Sequence, residues 1–392
     1  MRIRSYDASR EAAFAPRLAG LYAAIFVLGG IQLPFFPVWL EAKGLDAGMI
    51  GLVLAAPMLV RVFAIPLATR SADRYDAIRA AIVVASVLSV AGYLLVGLAE
   101  GALAILLAFT LASLAHTPVM PLTETYALRG LSARGRAYGP VRLWGSLAFI
   151  GGTFGAGFAT DLLPARDLIW LIVAASVLCA LAASMLAPLA TGVAVPRSPA
   201  APRKNLLRDK SFIAVMAAAA FIQSSHAVYY GFSALEWRGG GLDGSAIAAL
   251  WGLGVIAEIV LFALSGRLPA FCSPSVMLMI GAAGGALRWA AMAFDPPAMA
   301  LPALQLLHAL SFGATHLGAL TFISRHAPPG QGATAQGYLA IALGAAMAGA
   351  MGLAGVLYGA VGVTAYAAMA LAAVAGGACA VVAHRATRVA AL

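Results

Sequence analysis

The chain has 392 residues, 62% of them hydrophobic and only 10% charged, with a mean hydropathy of +0.92. Soluble domains are nearer half apolar and a quarter charged, so the composition excludes a soluble globular protein and leaves room for about twelve membrane spans of roughly 20 residues. A net charge of +10 would suggest nucleic acid as the partner of a soluble chain, but in a membrane protein it reads as topology, because basic residues collect on cytoplasmic loops.

The first 17 residues are polar and carry Arg2, Arg4, Arg10 and Arg17. The apolar stretch that follows runs to Trp39, too long for a signal-peptide core and without a small-residue cleavage site, so it reads as an uncleaved first span. Spans are expected at about 18–40, 47–69, 77–98, 102–127, 138–162, 167–188, 211–236, 245–267, 274–294, 298–324, 332–358 and 361–383. Polar breakers separate them, such as Glu41, Lys43, Gly44 and Asp46 after the first. The longest polar stretch, Thr191–Lys210, is rich in Pro, Arg and Lys and divides the chain into two sixes. The expected organisation is an N-terminal six-helix bundle (1–190), a cytoplasmic linker (191–210) and a C-terminal six-helix bundle (211–392).

With both termini inside, 19 of the 25 Lys and Arg residues fall on cytoplasmic segments. Outer loops hold only Lys43, Arg166 and Arg238, and Arg61, Arg142 and Arg288 fall inside spans. An internal repeat supports the division. Gly44-Leu45-Asp46 precedes the second span and Gly241-Leu242-Asp243 the eighth, and the same offset carries Arg61 onto Glu258. Pseudo-symmetric halves are the build of transporters whose substrate site lies between repeats.

Charges inside spans are expensive and mark function by default. Glu258, Arg288 and His308 each lie near the middle of a span, in the eighth, ninth and tenth. The expectation is that Glu258 alternates between a neutral form and a charged form paired with Arg288, with His308 orienting the acid, relaying a proton or binding substrate. His316, eight residues further, falls on roughly the same helix face. The plain alternative is a static ion pair that joins helices, with both imidazoles satisfied by neighbours.

The N-terminal half has its own pair. Glu124 follows Pro118 and Pro121, and Arg142 sits in YGPVRLWGS. An arginine here can grip a carboxylate through its planar fork, with Glu124 as resting partner or second ligand; a structural salt bridge is the alternative. Arg61 either snorkels to the surface or serves as a cavity charge. Gln223, His226, Tyr229 and Tyr230, together with Tyr22, are candidates to line an aromatic-walled cavity, although each alone reads as readily as a packing residue.

Cys179, Cys272 and Cys379 are far apart, which fits inert thiols better than a disulfide or metal set. No G-x-x-x-x-G-K-[ST] phosphate loop, H-E-x-x-H motif or hydrolase signature occurs, and the loops leave no room for a catalytic domain. The chain is therefore expected to be no enzyme, and to need no cofactor beyond a proton gradient, no metal and no nucleic acid.

Several segments together resemble the major facilitator superfamily, and within it the phenylpropionate permease family of proton symporters. They are PFFPVWL (34–40), PLTETYAL (121–128), YGPVRLWGS (138–146), HAVYYGFSALEW (226–237), LGVIAEIVLFALS (253–265), LRWAAM (287–292) and LLHALSF (306–312), and they span both halves. The chain is similar, more distantly, to lactose permease. That likeness implies a substrate pair matched by Glu124 and Arg142, and a coupling set matched by Glu258, Arg288 and His308. Two departures stand out. The lactose permease pattern has a second acid three residues after the histidine, where this chain has Ser311. The superfamily loop motif D-R-x-G-R reads Asp73-Arg74-Tyr75-Asp76-Ala77 here.

The resemblance implies an all-α integral membrane protein with twelve transmembrane helices in two pseudo-symmetric six-helix bundles. It implies a monomeric, proton-coupled importer of a small aromatic carboxylate such as 3-phenylpropionate, in the inner membrane with both termini cytoplasmic. A sugar or nucleoside symporter, an efflux carrier and a non-transporting membrane sensor are the competing expectations.

Overall fold

The computed structural model describes residues 13–189, 205–269, 271–328 and 331–389. The terminal arginines Arg2, Arg4 and Arg10, and most of the expected linker with Arg197, Arg203 and Lys204, lie outside the described residues. The described chain is helical throughout. Its α-helices are α1 (Phe14–Ala42), α2 (Ala47–Arg74), α3 (Ile78–Leu98), α4 (Ala102–His116), α5 (Val119–Ser132), α6 (Tyr138–Leu162) and α7 (Leu168–Ser184). They continue with α8 (Lys210–Ser224), α9 (Ala227–Gly239), α10 (Gly244–Leu264), α11 (Pro274–Met292), α12 (Leu301–Leu306), α13 (Thr315–His326), α14 (Gly332–Val361) and α15 (Tyr366–Val389). Ten helical stretches among the described residues are long and apolar enough to cross a membrane. Helices suit that setting because every backbone donor and acceptor is satisfied within the segment.

Two compact units form. The first comprises residues up to Leu45, Ala56–Val195 and Trp237–Ala248; the second comprises Asp46–Ala55, Pro196–Glu236 and Ala249–Leu392. The first is cored by Phe14, Leu18, Tyr22, Ile82, Leu122 and Tyr126, with Cys179 buried among them. Within it α1 and α6 approach closely, and the Thr153 hydroxyl donates to the Gly30 carbonyl at 3.0 Å. The second is cored by Phe212, Val215, Ile222, Leu278, Phe322 and Leu339.

The repeated tripeptide has one structural job in both places. Gly44 and Gly241 take φ values of +85° and +90°, which only glycine adopts without strain, and so end the preceding helix. Leu45 N–H then returns to the Leu40 carbonyl, and Leu242 N–H to that of Trp237. Asp46 accepts from Met49 N–H at 2.8 Å and Asp243 from Ala246 N–H at 2.7 Å, each capping the helix that follows. Asp161 adds a second cap at the start of α10, accepting from Gly244 N–H at 2.7 Å.

The loop after α2 departs from the superfamily motif in residue but not in backbone. Asp76 stands at the motif's glycine position and takes a left-handed φ of +47°. Asp73 is bridged by Arg129 at 3.0 Å.

Three expected continuous spans are interrupted. The expected fourth span breaks into α4 and α5 at Thr117-Pro118, because proline lacks the N–H that would continue the ladder. The seventh breaks into α8 and α9 at Ser225-His226, where the Ser224 and Ser225 hydroxyls donate to carbonyls one turn back, at 3.2 and 2.6 Å. The tenth passes from α12 through a π-helical turn, Ala309–Ala314, into α13.

Because nothing lies within 4 Å of a Cβ added at Gly44 or Gly241, alanine there would cost only backbone strain, about 1 kcal/mol each. Asp46→Ala should cost a similar amount, about 1 kcal/mol, by removing a cap. Thermal unfolding in detergent should show a lower midpoint for each variant, and an unchanged midpoint for Gly241→Ala would contradict the turn assignment.

Candidate functional site

The second unit gathers Glu258 from α10, Arg288 from α11 and His308 from the junction of α12 with the π turn. Arg288 is fully buried. Its Nη1 donates to His308 Nδ1 at 3.1 Å and its Nη2 to Gln305 Oε1. Its guanidinium lies 4.5 Å from the ring centres of both Tyr229 and Trp289, so two aromatic faces replace lost water. An arginine donates only, so His308 Nδ1 must accept, and the proton of the neutral ring sits on Nε2. Nε2 faces Glu258 Oε2 at 3.7 Å. The sequence suggested a direct Glu258–Arg288 pair. Here His308 stands between them, and the order is Glu258, His308, Arg288, Gln305.

The interruption of the tenth span makes this possible. Leu307 C=O accepts from both Leu310 N–H and Ser311 N–H at 3.0 and 2.9 Å, and the Thr315 hydroxyl caps the Ser311 carbonyl at 2.9 Å. A π turn inserts an extra residue and re-aims the side chains around it, which is why such turns gather at functional sites. Glycines on α11 admit the wide turn: a Cβ at Gly284 would lie 2.7 Å from that of Leu310.

Two further histidines flank His308. His226, fully buried at the α8–α9 break, turns Nδ1 to the Ile222 and Gln223 carbonyls at 3.2 and 3.1 Å, so Nδ1 carries the proton and Nε2 accepts from the Ser311 hydroxyl at 3.1 Å. The Ser311 that replaces the acid of the lactose permease pattern thus holds a second imidazole, whose ring centre is 5.6 Å from that of His308. Phe312 stacks on His308 at 5.2 Å and on His316 at 6.0 Å, so His308, Phe312 and His316 form one column. Gln223 Nε2 reaches the Phe312 carbonyl at 3.5 Å. Tyr229 stacks on Trp251 at 4.5 Å, and Tyr230 stacks on His226 at 5.5 Å.

The first unit holds the other pair. Arg142 Nε lies 3.7 Å from Glu124 Oε1, and the Tyr138 hydroxyl donates to Glu124 Oε2 at 2.6 Å. The Arg142 guanidinium sits 4.1 Å over Phe26 and 5.6 Å from Tyr22. Both charged side chains keep about a third of their surface open, so this pair is neither deeply desolvated nor tightly closed. Arg61, midway along α2, contacts the Met58 sulfur at 3.6 Å. Gln305, Trp289, Ser311, Tyr138 and Phe26 were not among the residues expected to matter. Gln305 could have been flagged by its spacing, three residues before His308 and so on the same helix face.

Membrane-crossing helices broken beside intramembrane charges are a recurring feature of polytopic transporters. The chain belongs to the MFS_1 like family, whose profile matches residues 16–368, and so to the major facilitator superfamily of transporters. It is 31% identical over 347 residues to an Escherichia coli (strain K12) protein described as "Probable 3-phenylpropionic acid transporter", covering 86% of this chain and 89% of that one. It is 27% identical over 319 residues to a maltose permease of Geobacillus stearothermophilus, covering 78% of each. The fold matches the crystal structure of the nucleoside transporter NupG with a TM-score of 0.79 at 16% identity, covering 96% of this chain and 98% of that one.

Gln305→Leu would strip an acceptor from a fully buried guanidinium and should cost about 1.5–3 kcal/mol, the worth of a hydrogen bond to a charged group. Leu306→Ala, beside it on the exposed face, should change stability far less. Thermal unfolding of the two variants side by side checks this, and equal midpoints would contradict it.

Proposed function

We propose that this transporter imports a small aromatic carboxylate of the phenylpropionate class together with a proton. The observation that carries the reading is the order Glu258, His308, Arg288 and Gln305, a half-buried titratable acid linked to a buried cation through an imidazole. With Glu258 ionised, the acid balances Arg288. When Glu258 takes up a proton the cluster gains one positive charge, and an anionic substrate nearby becomes more favourable. Proton and carboxylate then enter together because each lowers the cost of the other, which is the coupling a symporter needs.

Arg142 is assigned to the substrate carboxylate. Its contact with Glu124 is loose, and the carboxylate of Glu124 keeps the Tyr138 hydroxyl as a partner if the arginine turns to substrate. Within the first unit Phe26 and Tyr22 supply aromatic walls beside Arg142; within the second, Tyr229, Tyr230, His226 and Gln223 supply aromatic and polar walls around the Arg288 cluster. His316, at the far end of the stacked column, is assigned with His308 to proton movement, and Arg61 to the field of the cavity. The substrate class draws support from the E. coli relative. The maltose permease and the NupG fold keep a sugar or nucleoside in view, and the aromatic surroundings of both arginines favour the aromatic acid.

The wider architecture proposed is twelve spans in two six-helix bundles that alternate access, formed by residues 1–190 and 211–392 around a linker at 191–210. Two facts support that number beyond the ten apolar stretches. Tyr138–Leu162 has 25 residues, enough to span, and the stretch Thr334–Thr387 contains two helices parted at Gly362. The excess of Arg and Lys on alternate loops supports cytoplasmic termini in an inner membrane. The reading further takes a monomer, driven by the proton gradient with no other cofactor.

Uptake of labelled 3-phenylpropionate into proteoliposomes under an imposed pH gradient should occur with the wild type. It should be lost in Glu258→Gln while substrate exchange persists; driven uptake that survives the substitution would move the proton site elsewhere. Arg142→Lys should weaken binding by about tenfold or more, since lysine lacks the planar fork. Unchanged affinity would sink the clamp.

A further inference from the structure

The second unit holds another intramembrane acid that the coupling scheme above does not use. Glu236 lies near the C-terminal end of α9, two turns beyond Tyr229. Spacings of four and three residues put Tyr229, Ser233 and Glu236 on one stripe of the helix. Ser233 is fully buried, and its hydroxyl has no hydrogen-bond partner. Glu236 Oε2 is likewise sealed and unpartnered. The phenol of Tyr366 approaches the Glu236 carboxylate from α15 to the range of a side-chain hydrogen bond, without closing one of good geometry, and is itself fully buried. Tyr366 stacks on Trp289 at 5.8 Å, and Trp289 packs against Tyr229 at the same distance. Three orphaned polar oxygens therefore adjoin the aromatic wall of Arg288.

The charges around Glu236 do not explain it as a structural ion pair. The other charged group near it is Asp295, an acid, from the turn after α11. Tyr366 also lies within electrostatic reach of Tyr358, Arg288 and Tyr229. Arg238 follows on the same helix, about 200° round from Glu236, and is exposed. A half-buried carboxylate with one oxygen sealed, an acid neighbour and no salt-bridge partner among the described residues is costly to keep charged, and losing the charge relieves that cost.

We propose that Glu236 is a second proton-carrying carboxylate of the transport cycle, paired with the Tyr366 hydroxyl and set between the end of α9 and the Glu258–His308–Arg288 cluster. Water supplies the proton: the carboxylate takes H+ to become the neutral acid, and returns it to water when the site opens again. The acid form can donate to Tyr366 Oη and the anionic form can accept from it, so the phenol serves both states. The role in coupling rests on the symport reading; the protonation itself does not.

The test is pH-difference infrared spectroscopy on the full chain in proteoliposomes, with pH-driven uptake measured on the same preparations. The wild type and Glu258→Gln should both show a protonated-carboxyl carbonyl band that Glu236→Gln lacks. Tyr366→Phe should shift that band by removing the acid's neighbour, and Glu236→Asp should keep it. Driven uptake in Glu236→Gln should be lost or its pH profile displaced, with exchange retained. A Glu236→Gln spectrum identical to the wild type, or an unchanged uptake pH profile, overturns the proposal. So does a band unmoved by Tyr366→Phe. Should the wild type not move 3-phenylpropionate at all, the substrate reading falls and the infrared comparison still decides Glu236.

Discussion

A guanidinium with no surface open to solvent is the constraint around which the second unit is arranged. Removing such an ion from water costs several kcal/mol even after relaxation, and removing its partners leaves the charge uncompensated. Arg288 meets this with neutral acceptors, the Gln305 amide and the His308 ring, and with two aromatic faces. The nearest groups that accept from it are thus uncharged, and the consequence is mechanical. His308 Nδ1 cannot take a proton while it accepts from Arg288. A proton on that nitrogen and the arginine contact exclude one another, so protonating it requires that contact to open.

Holding those groups in place explains why the helices are broken where they are. An unbroken α-helix through 301–326 would present His308, Ser311, Phe312 and His316 at fixed angles. The π turn rotates them so that His308 meets Arg288 while Ser311 meets His226. The break between α8 and α9 does the same for His226, whose Nδ1 takes carbonyls freed at the end of α8. Irregular backbone in a membrane is tolerated when protein groups satisfy it. Here the hydroxyls of Ser224, Ser225 and Thr315 do so.

Much of this was legible in the sequence. Composition and spacing marked the helices, and the isolated charges Glu124, Arg142, Glu258 and Arg288 marked the side chains that come together within each unit. The order of the cluster was not legible, because hydropathy gives the depth of a residue but not its angle around the helix, and the π turn changes that angle without a proline to announce it. Asp76 misled in the other direction: the motif loses its glycine, yet the backbone keeps the left-handed turn, since aspartate tolerates that region better than most residues. Glu236 escaped notice because it sits near a span end, where a charge is expected to reach water. Only the packing of Tyr366 over it reveals that one oxygen does not.

The two arginines illustrate how burial separates a fixed charge from an exchangeable one. Arg142 keeps 28% of its side chain open and meets Glu124 at 3.7 Å through Nε, while Tyr138 holds the other carboxylate oxygen at 2.6 Å. Each member of that pair has an alternative partner, so parting them costs little more than a partly exposed ion pair is worth, about 1 kcal/mol or less. Arg288 has no such freedom, for its neighbours are neutral and packed and its departure would strand both Gln305 and His308. A carrier must release what it binds in every cycle. In the proposed scheme the loosely paired, partly open arginine is the one suited to an arriving carboxylate, and the sealed one is suited to a standing field against which a proton is gained and lost.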